Sequence, residues 1–364
     1  MLTNRMLQLD GIRGIAVGLV VLHHWTEAGR SMDLGNIGVQ LFFVLSGFLI
    51  TGILLDMRAS FELGKRSFRD ILSTFWQSRA ARIWPVCFLT LAAVFLAGDR
   101  FEKRADMMWH AVFASNFLFI ERGEFGSSLA HFWTLAVEQQ FYLVWPFAIL
   151  LVRRKWLEPI TLALVVLAPL TRAGIYAAGY HDFTQYNLLP VASFDSLGLG
   201  ALVALWARLP EAQSAVRRRL LATGAMLAAA AFAASQALGP LPANIQQTFY
   251  SIVFAWLISL ASEGLPGWSG RLLQSRALAG LGTISYAVYV FHMFAPRMVG
   301  AGLRAVNAPA EIQKGVSLFA LSAVLTLLAA GLSWFLMERP INRARKDWQE
   351  RGKVRRSPLR EVTR

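Results

Sequence analysis

An apolar stretch near the start of the chain reads Asp10-Gly-Ile-Arg13-Gly-Ile-Ala-Val-Gly-Leu-Val-Val-Leu-His23-His24-Trp25, and it decides the fold. Eleven residues of α-helix turn through about 1100° and rise about 16 Å, so Arg13 and His24 share nearly one helix face. A cation and a titratable base are expensive in a membrane helix, and by default such residues mark a functional site. The stretch therefore predicts a membrane helix with one polar group near each end.

The composition places the whole chain in the same class. Of its 364 residues, 55% are hydrophobic and 16% are charged, whereas a typical soluble domain has about 25% charged residues. Repeated apolar runs of about 20 residues then predict an all-α, multi-pass membrane protein. The single cysteine, Cys87, excludes an internal disulfide and a cysteine-based metal cluster. We predict no metal site and no cleavable signal peptide.

Apolar runs along the chain predict about ten transmembrane helices, at 11–26, 37–55, 84–98, 132–152, 157–178, 189–207, 219–238, 246–262, 278–296 and 315–337. The apolar segment 107–120 is too short to span a bilayer, so we predict a re-entrant or interfacial helix there. No internal repeat is visible. We divide the chain into one membrane domain, 1–340, and a basic tail, 341–364.

The positive charges are distributed unevenly between alternate connecting segments. Of 36 lysines and arginines, 26 fall on the side of the two termini, counting Arg219 at the edge of a span, and 8 fall on the other side. This asymmetry predicts that the N- and C-termini are both cytoplasmic. The net charge of +14 is then a signal of orientation and of contact with lipid headgroups. We predict membrane lipids, and no nucleic acid, as the partner of the basic tail.

This topology sorts the buried ionisable residues by depth. The cytoplasmic side receives Arg13, Arg79 and Arg82. The outer halves of the spans receive His24, His131, Glu138, Arg172, Asp195 and His292. Arginine side chains suit phosphate groups, through paired hydrogen bonds. The outer residues are the types that general acid–base chemistry needs. The arrangement predicts a phosphorylated donor inside and an acceptor outside.

Structural roles are an alternative for most of these residues. The alternatives are cytoplasmic anchoring for Arg79 and Arg82, helix capping for His131, core packing for His23 and His292, and a buried ion pair for Arg172 with Asp195. Glu138 and the pair of Arg13 and His24 are hardest to explain in this way, because lipid offers them no solvation.

Further motifs follow in order along the chain. They are Phe42-Phe43-Val-Leu-Ser46-Gly47-Phe48-Leu-Ile-Thr51, Phe75-Trp76-x-x-Arg79-x-x-Arg82-Ile83-x-Pro85, His131-Phe-Trp133-Thr134-Leu135-x-Val137-Glu138-Gln139-Gln140-Phe141-Tyr142, Leu281-Gly282-Thr-Ile-Ser285-Tyr286-x-x-Tyr289-x-Phe-His292 and Glu338-Arg339-Pro340. Together with the Arg13-x10-His24 spacing, this set resembles the acyltransferase 3 family of membrane acyltransferases over about residues 8–340.

The resemblance implies transfer of an acyl group, usually acetyl from acetyl-CoA, to a sugar hydroxyl across the bacterial inner membrane. The acceptors implied are exopolysaccharide, O-antigen, peptidoglycan and lipid-linked oligosaccharide. Acetyl-CoA is then a substrate, and we expect no bound cofactor. We assign donor binding to Arg13, Arg79 and Arg82, and catalysis to His24 with Glu138 orienting it. Candidates for the acceptor side are His131, Trp133, Asp195, Tyr286 and His292.

Two departures from the family pattern bear on these assignments. Many members carry an arginine two residues before the aspartate of the sixth span, whereas Ser193 precedes Asp195 here. Some members also carry a C-terminal periplasmic esterase-like domain. This sequence ends 24 residues after Pro340, so we expect it to deliver the acyl group itself or through a separate periplasmic or glycan-assembly partner.

Other functional classes fit the sequence less well. A secondary transporter would explain the buried charges and the ten spans, but transporters usually show repeated halves with broken helices. A serine hydrolase would need a glycine two residues before and two residues after Ser46, whereas the chain has Val44 and Phe48 there. We predict that Ser46 is a small residue at a helix contact. For an acyltransferase, direct attack by the sugar and an acyl group carried on His24 are both open alternatives.

Overall fold

The structure is a computed structural model that describes residues 2–98, 103–126, 128–180, 187–239, 243–345 and 347. No strand occurs in these ranges. The α-helices are α1 (Leu2–Trp25), α2 (Glu27–Ser31), α3 (Leu34–Glu62), α4 (Phe68–Ala97), α5 (Met107–Ala111), α6 (Ser115–Arg122), α7 (Phe132–Leu151), α8 (Arg154–Ala177), α9 (Phe194–Trp206), α10 (Glu211–Leu238), α11 (Ala243–Glu263), α12 (Gly267–Leu273), α13 (Arg276–Thr283), α14 (Ser285–Phe291), α15 (Ala295–Ala305) and α16 (Gly315–Ser333). A π-helical turn, Trp334–Glu338, continues α16.

Within the described ranges, six helical segments are long and apolar enough to cross a membrane: Leu34–Glu62, Phe68–Ala97, Phe132–Leu151, Arg154–Ala177, Ile245–Glu263 and Gly315–Arg345. They mark the chain as a multi-pass membrane protein, as its composition predicts. The predicted count of ten goes beyond these six. Among the other predicted runs, 189–207 corresponds to a shorter apolar helix, Pro190–Trp206.

The predicted span 278–296 is not one continuous helix. It is divided between α13, α14 and α15, with breaks at Ile284 and around His292–Phe294. The Thr283 hydroxyl donates to the carbonyl oxygen of Ala279 at 2.9 Å, a bond that bends helices, and Pro296 lies in the first turn of α15. The second break leaves the carbonyl of His292 free to accept from the indole of Trp25 at 3.0 Å.

The segment 107–120 is also divided. It forms two short helices, α5 and α6, joined by a turn in which Phe113 has a φ of 56°. The side-chain amide of Gln140 on α7 donates to the carbonyl oxygen of Phe113 and to Asn116 Oδ1, both at 2.9 Å. These bonds fix the turn, and the segment is short as predicted but is not a single helix.

At the C-terminal end, the helical segment that begins at Gly315 reaches Arg345. The predicted boundary between domain and tail, at residue 340, therefore falls inside a helix. Of the tail itself, residues 346 and 348–364 lie outside the described residues.

Close backbone contacts bring the helices that carry the motifs together. A Cβ atom at Gly47 of α3 would lie 1.9 Å from the carbonyl oxygen of Leu197 on α9. A Cβ atom at Gly282 of α13 would lie 1.8 Å from the carbonyl oxygen of Asp10 on α1. Small residues allow such approaches between membrane helices. The two contacts fix α3 and α1, which supply residues to both ends of the site described below.

Replacing Gly47 with alanine should therefore prevent normal packing of α3 against α9. We expect a loss of about 1–3 kcal/mol or more, because backbone atoms cannot move aside as a flexible side chain can. Gly52 is a matched control on the same helix, since its nearest neighbour is Arg208 Nη1 at 3.9 Å. Melting temperatures of the purified variants in detergent would measure the difference. Equal melting of Gly47→Ala and Gly52→Ala would show that the close contact is unimportant.

Candidate active site

Two cavities lie end to end between α1, α3, α7 and α14. The larger has a volume of about 870 Å³, and its walls include His24, His131 and Trp133. The smaller has a volume of about 90 Å³ and is lined by Arg13, Arg79, Arg82, Glu138, Ser46 and Tyr286, among others. Val39 and Tyr289 line both cavities. We call the larger one the histidine cavity and the smaller one the arginine cavity.

The arginine cavity collects the three arginines that the sequence places on the cytoplasmic side. Arg79 and Arg82 are three residues apart on α4, so they share one helix face. Arg13 bonds Asp10 at 3.0 Å. Within the described residues, Arg79 and Arg82 form no ion pair; the Arg79 Nε only donates to Ser78 Oγ at 3.3 Å. Guanidinium groups without a carboxylate partner are suited to bind phosphate.

Glu138 lies among these arginines. Its carboxylate accepts a hydrogen bond from Ser46 Oγ, and the hydroxyl of Tyr142 donates to the same Oγ at 3.3 Å. Arg82, Arg13 and Arg79 line the same cavity as this carboxylate. Glu138 is therefore placed to act as a counterion of these arginines.

This position corrects the prediction that Glu138 orients His24. No hydrogen bond joins the two side chains in the described part of the chain. Glu138 lies two helical turns beyond His131, a rise of about 10 Å along α7. It is His131 that lines the same cavity as His24.

The hydrogen bonds of two histidines determine where their protons lie. His24 Nδ1 is 2.9 Å from the carbonyl oxygen of Val20, and His292 Nδ1 is 2.5 Å from that of Tyr289. Because a carbonyl oxygen only accepts, we assign a proton to Nδ1 of both rings. His292 Nε2 then has a lone pair and lies 3.2 Å from His24 Nδ1. His24 Nε2 is left unprotonated on the wall of the histidine cavity.

His131 and Trp133 complete this wall. His131 Nε2 donates to the carbonyl oxygen of Val290 at 3.1 Å, and its ring centre lies 5.2 Å from that of His292. The Tyr289 hydroxyl donates to the carbonyl oxygen of His131 at 3.0 Å. Three of the five predicted acceptor-side residues, His131, Trp133 and His292, are thus gathered around His24.

The other two predicted acceptor-side residues lie elsewhere. Tyr286 lines the arginine cavity, where its hydroxyl donates to the carbonyl oxygen of Ile83 at 2.7 Å. Asp195 is fully buried in an ion pair with Arg172 at 2.7 Å, accepts from the Thr248 hydroxyl at 2.7 Å and lines neither cavity. The structure therefore places Asp195 away from both cavities and in an ion pair that suits a structural role, because a buried arginine requires a counterion.

Several site residues are not identified by the sequence analysis. Ser46 is predicted to be a packing residue, yet it joins Glu138 to Tyr142. Glu338 belongs to the closing motif without an assigned role; it is 2% exposed, and the charge of Arg82 acts on it. A π-helical turn carries Glu338, and such turns are frequent at functional sites. The only sequence signal for Ser46 is that it is a polar residue inside an apolar run. Hydropathy gives no signal for the π-helical turn that carries Glu338.

Comparisons with known proteins show similarity to bacterial O-acetyltransferases. Listeria monocytogenes peptidoglycan O-acetyltransferase OatA is 27% identical over 92% of this chain and 55% of its own length. Staphylococcus aureus O-acetyltransferase OatA is 25% identical over 92% of this chain and 57% of its own. YrhL of Bacillus subtilis is 29% identical over 92% of this chain and 54% of its own. No solved structure matches the chain.

The chain thus spans about half the length of the curated relatives it matches. The family model described as an acyltransferase domain matches residues 6–336, which is nearly all of the chain. The arginines of α4, the histidine of α1 and the motif of α7, which form the two cavities, all lie within those residues. On this match the chain belongs to the acyltransferase 3 family.

Proposed function

We propose that this protein is an O-acetyltransferase of the bacterial inner membrane that passes an acetyl group from cytoplasmic acetyl-CoA to a sugar hydroxyl at the outer face. One observation carries the proposal: Arg79 and Arg82, which form no ion pair within the described residues, line a cavity that shares Val39 and Tyr289 with the cavity lined by His24. The relatives' names make peptidoglycan the first acceptor to test. Exopolysaccharide, O-antigen and lipid-linked oligosaccharide are further candidates.

In this proposal the arginine cavity holds the donor. Arg79 and Arg82 bind the phosphates of acetyl-CoA, and Arg13 extends the cationic wall along α1. The thioester arm then runs toward the histidine cavity, over the rise of about 16 Å between Arg13 and His24. A volume of about 90 Å³ suits several water molecules. Side chains at the junction therefore have to move before an extended arm can pass.

His24 acts as the general base at the other end. Its Nε2 takes the proton of the sugar hydroxyl while that oxygen attacks the thioester carbonyl. The carbon–sulfur bond breaks, and the proton passes to the thiolate of CoA. The positive ring of His24 is stabilised by the Val20 carbonyl oxygen at 2.9 Å and by His292 Nε2 at 3.2 Å. In this mechanism His292, and not Glu138, is the group that orients the base.

Transfer through an acetyl group on His24 Nε2 is the alternative route. It uses the same unprotonated nitrogen and the same partners on Nδ1, so the geometry is compatible with both. The topology in this proposal has about ten spans and cytoplasmic termini, with Arg13 on the cytoplasmic side. A separate periplasmic or glycan-assembly partner would carry the acetyl group onward if His24 delivers it to a carrier first.

The test is acetyl transfer by the purified protein in proteoliposomes. Labelled acetyl-CoA is supplied on the side of Arg13 and a peptidoglycan, exopolysaccharide, O-antigen or lipid-linked fragment on the side of His24. We expect an alkali-labile acetyl ester on at least one glycan, identified by NMR. Uptake of a glycan without consumption of acetyl-CoA would instead indicate a transporter. No ester on any of the four acceptors would overturn the proposal.

Glu138→Gln should strengthen the binding of CoA. The amide still accepts from Ser46, but the negative charge that competes with phosphate for three arginines is gone. We expect the Kd of CoA to fall about fivefold or more, on the order of 1 kcal/mol. Without ligand, the same variant should melt at a lower temperature, because the arginines repel one another. Isothermal titration and thermal melting measure the two effects.

Glu62→Gln is the matched control for this variant. Glu62 pairs with Arg58 and Arg154 and lines neither cavity, so its loss should leave CoA binding unchanged. If Glu138 acts on His24 rather than on the arginines, Glu138→Gln will slow transfer while the Kd of CoA stays constant, and that result would refute the counterion role.

A further inference from the structure

We propose that the acceptor carries an anionic group, a carboxylate or a phosphate, and that Arg297 binds this group in the histidine cavity. The inference rests on the proposed function, because it names the chemical class of the acceptor that this cavity admits. It concerns a residue that lines the cavity, Arg297, and not the reacting atoms at His24.

Three cationic side chains converge on the histidine cavity from separate parts of the sequence. Lys103 precedes α5, Arg122 ends α6 and Arg297 lies in the first turn of α15, and all three line the cavity. Lysine and arginine are scarce on this side of the proposed topology, which holds only 8 of the 36 in the chain. Three of those eight outer cations therefore line one cavity, and orientation in the membrane does not require that.

Buried polar groups hold two of these cations in place. Arg122 pairs with Asp106, whose side chain is 4% exposed. Arg297 Nη1 donates to the hydroxyl of Ser128, a residue that is 4% exposed. Among the described residues no carboxylate pairs with Arg297. A guanidinium that is fixed by a neutral hydroxyl keeps its charge and its remaining donors available for an anion.

Two carboxylates, Asp33 and Glu124, line the same cavity. Together with Asp106, which pairs with Arg122, they equal the three cations in number, but none of the three carboxylates pairs with Arg297 in the described part of the chain. Asp33 lies beside His23 at the junction of α2 and α3, on chain segments other than the one that carries Arg297. Carboxylates accept hydrogen bonds from hydroxyl groups, so the cavity has partners for sugar hydroxyls as well as for one anion. Its volume of about 870 Å³ lies within the range of ligand pockets, about 300–1,000 Å³.

The position of Arg297 relative to the chemistry follows from the break after α14. His292 directly follows α14 and contacts His24. Arg297 comes five residues later, next to Pro296 in the first turn of α15. The same break positions both residues. Arg297 lines the histidine cavity, and His292 contacts His24 in the wall of that cavity. An anionic group on Arg297 would hold the sugar in a fixed orientation toward the base.

Equilibrium binding of labelled sugars to the full protein in nanodiscs, without acetyl-CoA, tests the inference. The probes are N-acetylglucosaminyl-N-acetylmuramic acid, which carries a carboxylate, N-acetylglucosamine 1-phosphate, and the neutral disaccharide diacetylchitobiose (chitobiose below). We expect at least one anionic probe to bind about tenfold or more tightly than chitobiose. Arg297→Gln should abolish this preference, and Arg297→Lys should keep part of it. The two anionic probes distinguish an acidic sugar from a sugar phosphate.

Arg304→Gln is the matched control, because Arg304 is an exposed arginine on the same helix and does not line the cavity. It should keep the preference of the wild-type protein. Equal affinity of the wild-type protein for all three probes, no binding of any probe, or an equal loss for all three in Arg297→Gln would overturn the inference. Addition of acetyl-CoA then separates the two proposals. Preferential binding without acetylation contradicts only the proposed function, whereas acetylation of all three probes alike contradicts only the anion site.

Discussion

His24→Gln is expected to lower the rate of acetyl transfer about 10³-fold, because loss of a general base costs about 10²–10⁴-fold in rate. Binding of CoA should remain within about twofold of the wild-type value, since the arginine cavity does not contain His24. Transfer of labelled acetyl to glycan in proteoliposomes gives the rate, and titration with CoA gives the affinity.

His110→Gln is the control for this experiment. His110 is also buried, but it lies on α5, bonds Ser115 at 2.8 Å and lines neither cavity. Its loss should leave transfer nearly unchanged. His292→Phe is the informative intermediate: it removes the group that lies 3.2 Å from His24 Nδ1, and it should lower kcat while the KM for acetyl-CoA stays constant. Transfer by His24→Gln at the rate of His110→Gln would exclude His24 as the base.

Asp195→Ala is expected to destabilise the protein by about 3–5 kcal/mol, since it removes a carboxylate that is ion-paired with the buried guanidinium of Arg172. Both side chains are 0% exposed, so water cannot replace the lost partner. Thermal melting in detergent and the yield of monodisperse protein measure this loss. Activity should fall in proportion to the amount of folded protein.

The double variant Arg172→Met with Asp195→Leu separates a structural role from an acceptor role. Replacing both charges by apolar groups of similar volume is often neutral or stabilising, so we expect folded protein and acetyl transfer to recover together. If Asp195 instead binds the acceptor, the double variant will fold and stay inactive. That outcome would restore the assignment that the sequence suggested.

Residues on one helix were the ones that the sequence located correctly relative to each other. Arg13 and His24 lie on α1, and Arg79 and Arg82 lie on α4, where helical periodicity alone determines their relation. The structure adds that α1 and α4 contribute to one arginine cavity. The sequence grouped these arginines on one side, although its predicted spans 11–26 and 84–98 began late. The helices are Leu2–Trp25 and Phe68–Ala97, so Arg79 and Arg82 lie inside α4 and not before it.

Residues on different helices were harder to relate, as Glu138 shows. Counting by depth placed both Glu138 and His292 near His24, yet only His292 comes within hydrogen-bond distance, with its Nε2 3.2 Å from His24 Nδ1. Glu138 lies seven residues beyond His131 on α7, a rise of about 10 Å, and there it accepts from Ser46 of α3. Hydropathy gives the approximate depth of a residue but not the partner that helix packing brings to it, so the sequence could not have shown this difference.

The sequence by itself determined that the chain is a helical membrane protein, that it carries cations and a histidine on one face of α1, and that its motifs resemble one acyltransferase family. These are local properties of composition, period and spacing. Only the tertiary structure decided that Glu138 shares a cavity with the arginines, that His292 Nε2 lies 3.2 Å from His24 Nδ1, and that Asp195 pairs with Arg172. The physical reason is that a buried charge or ring nitrogen takes the partner that helix packing brings within about 3 Å. That packing depends on backbone contacts at Gly47 and Gly282, which no local pattern specifies.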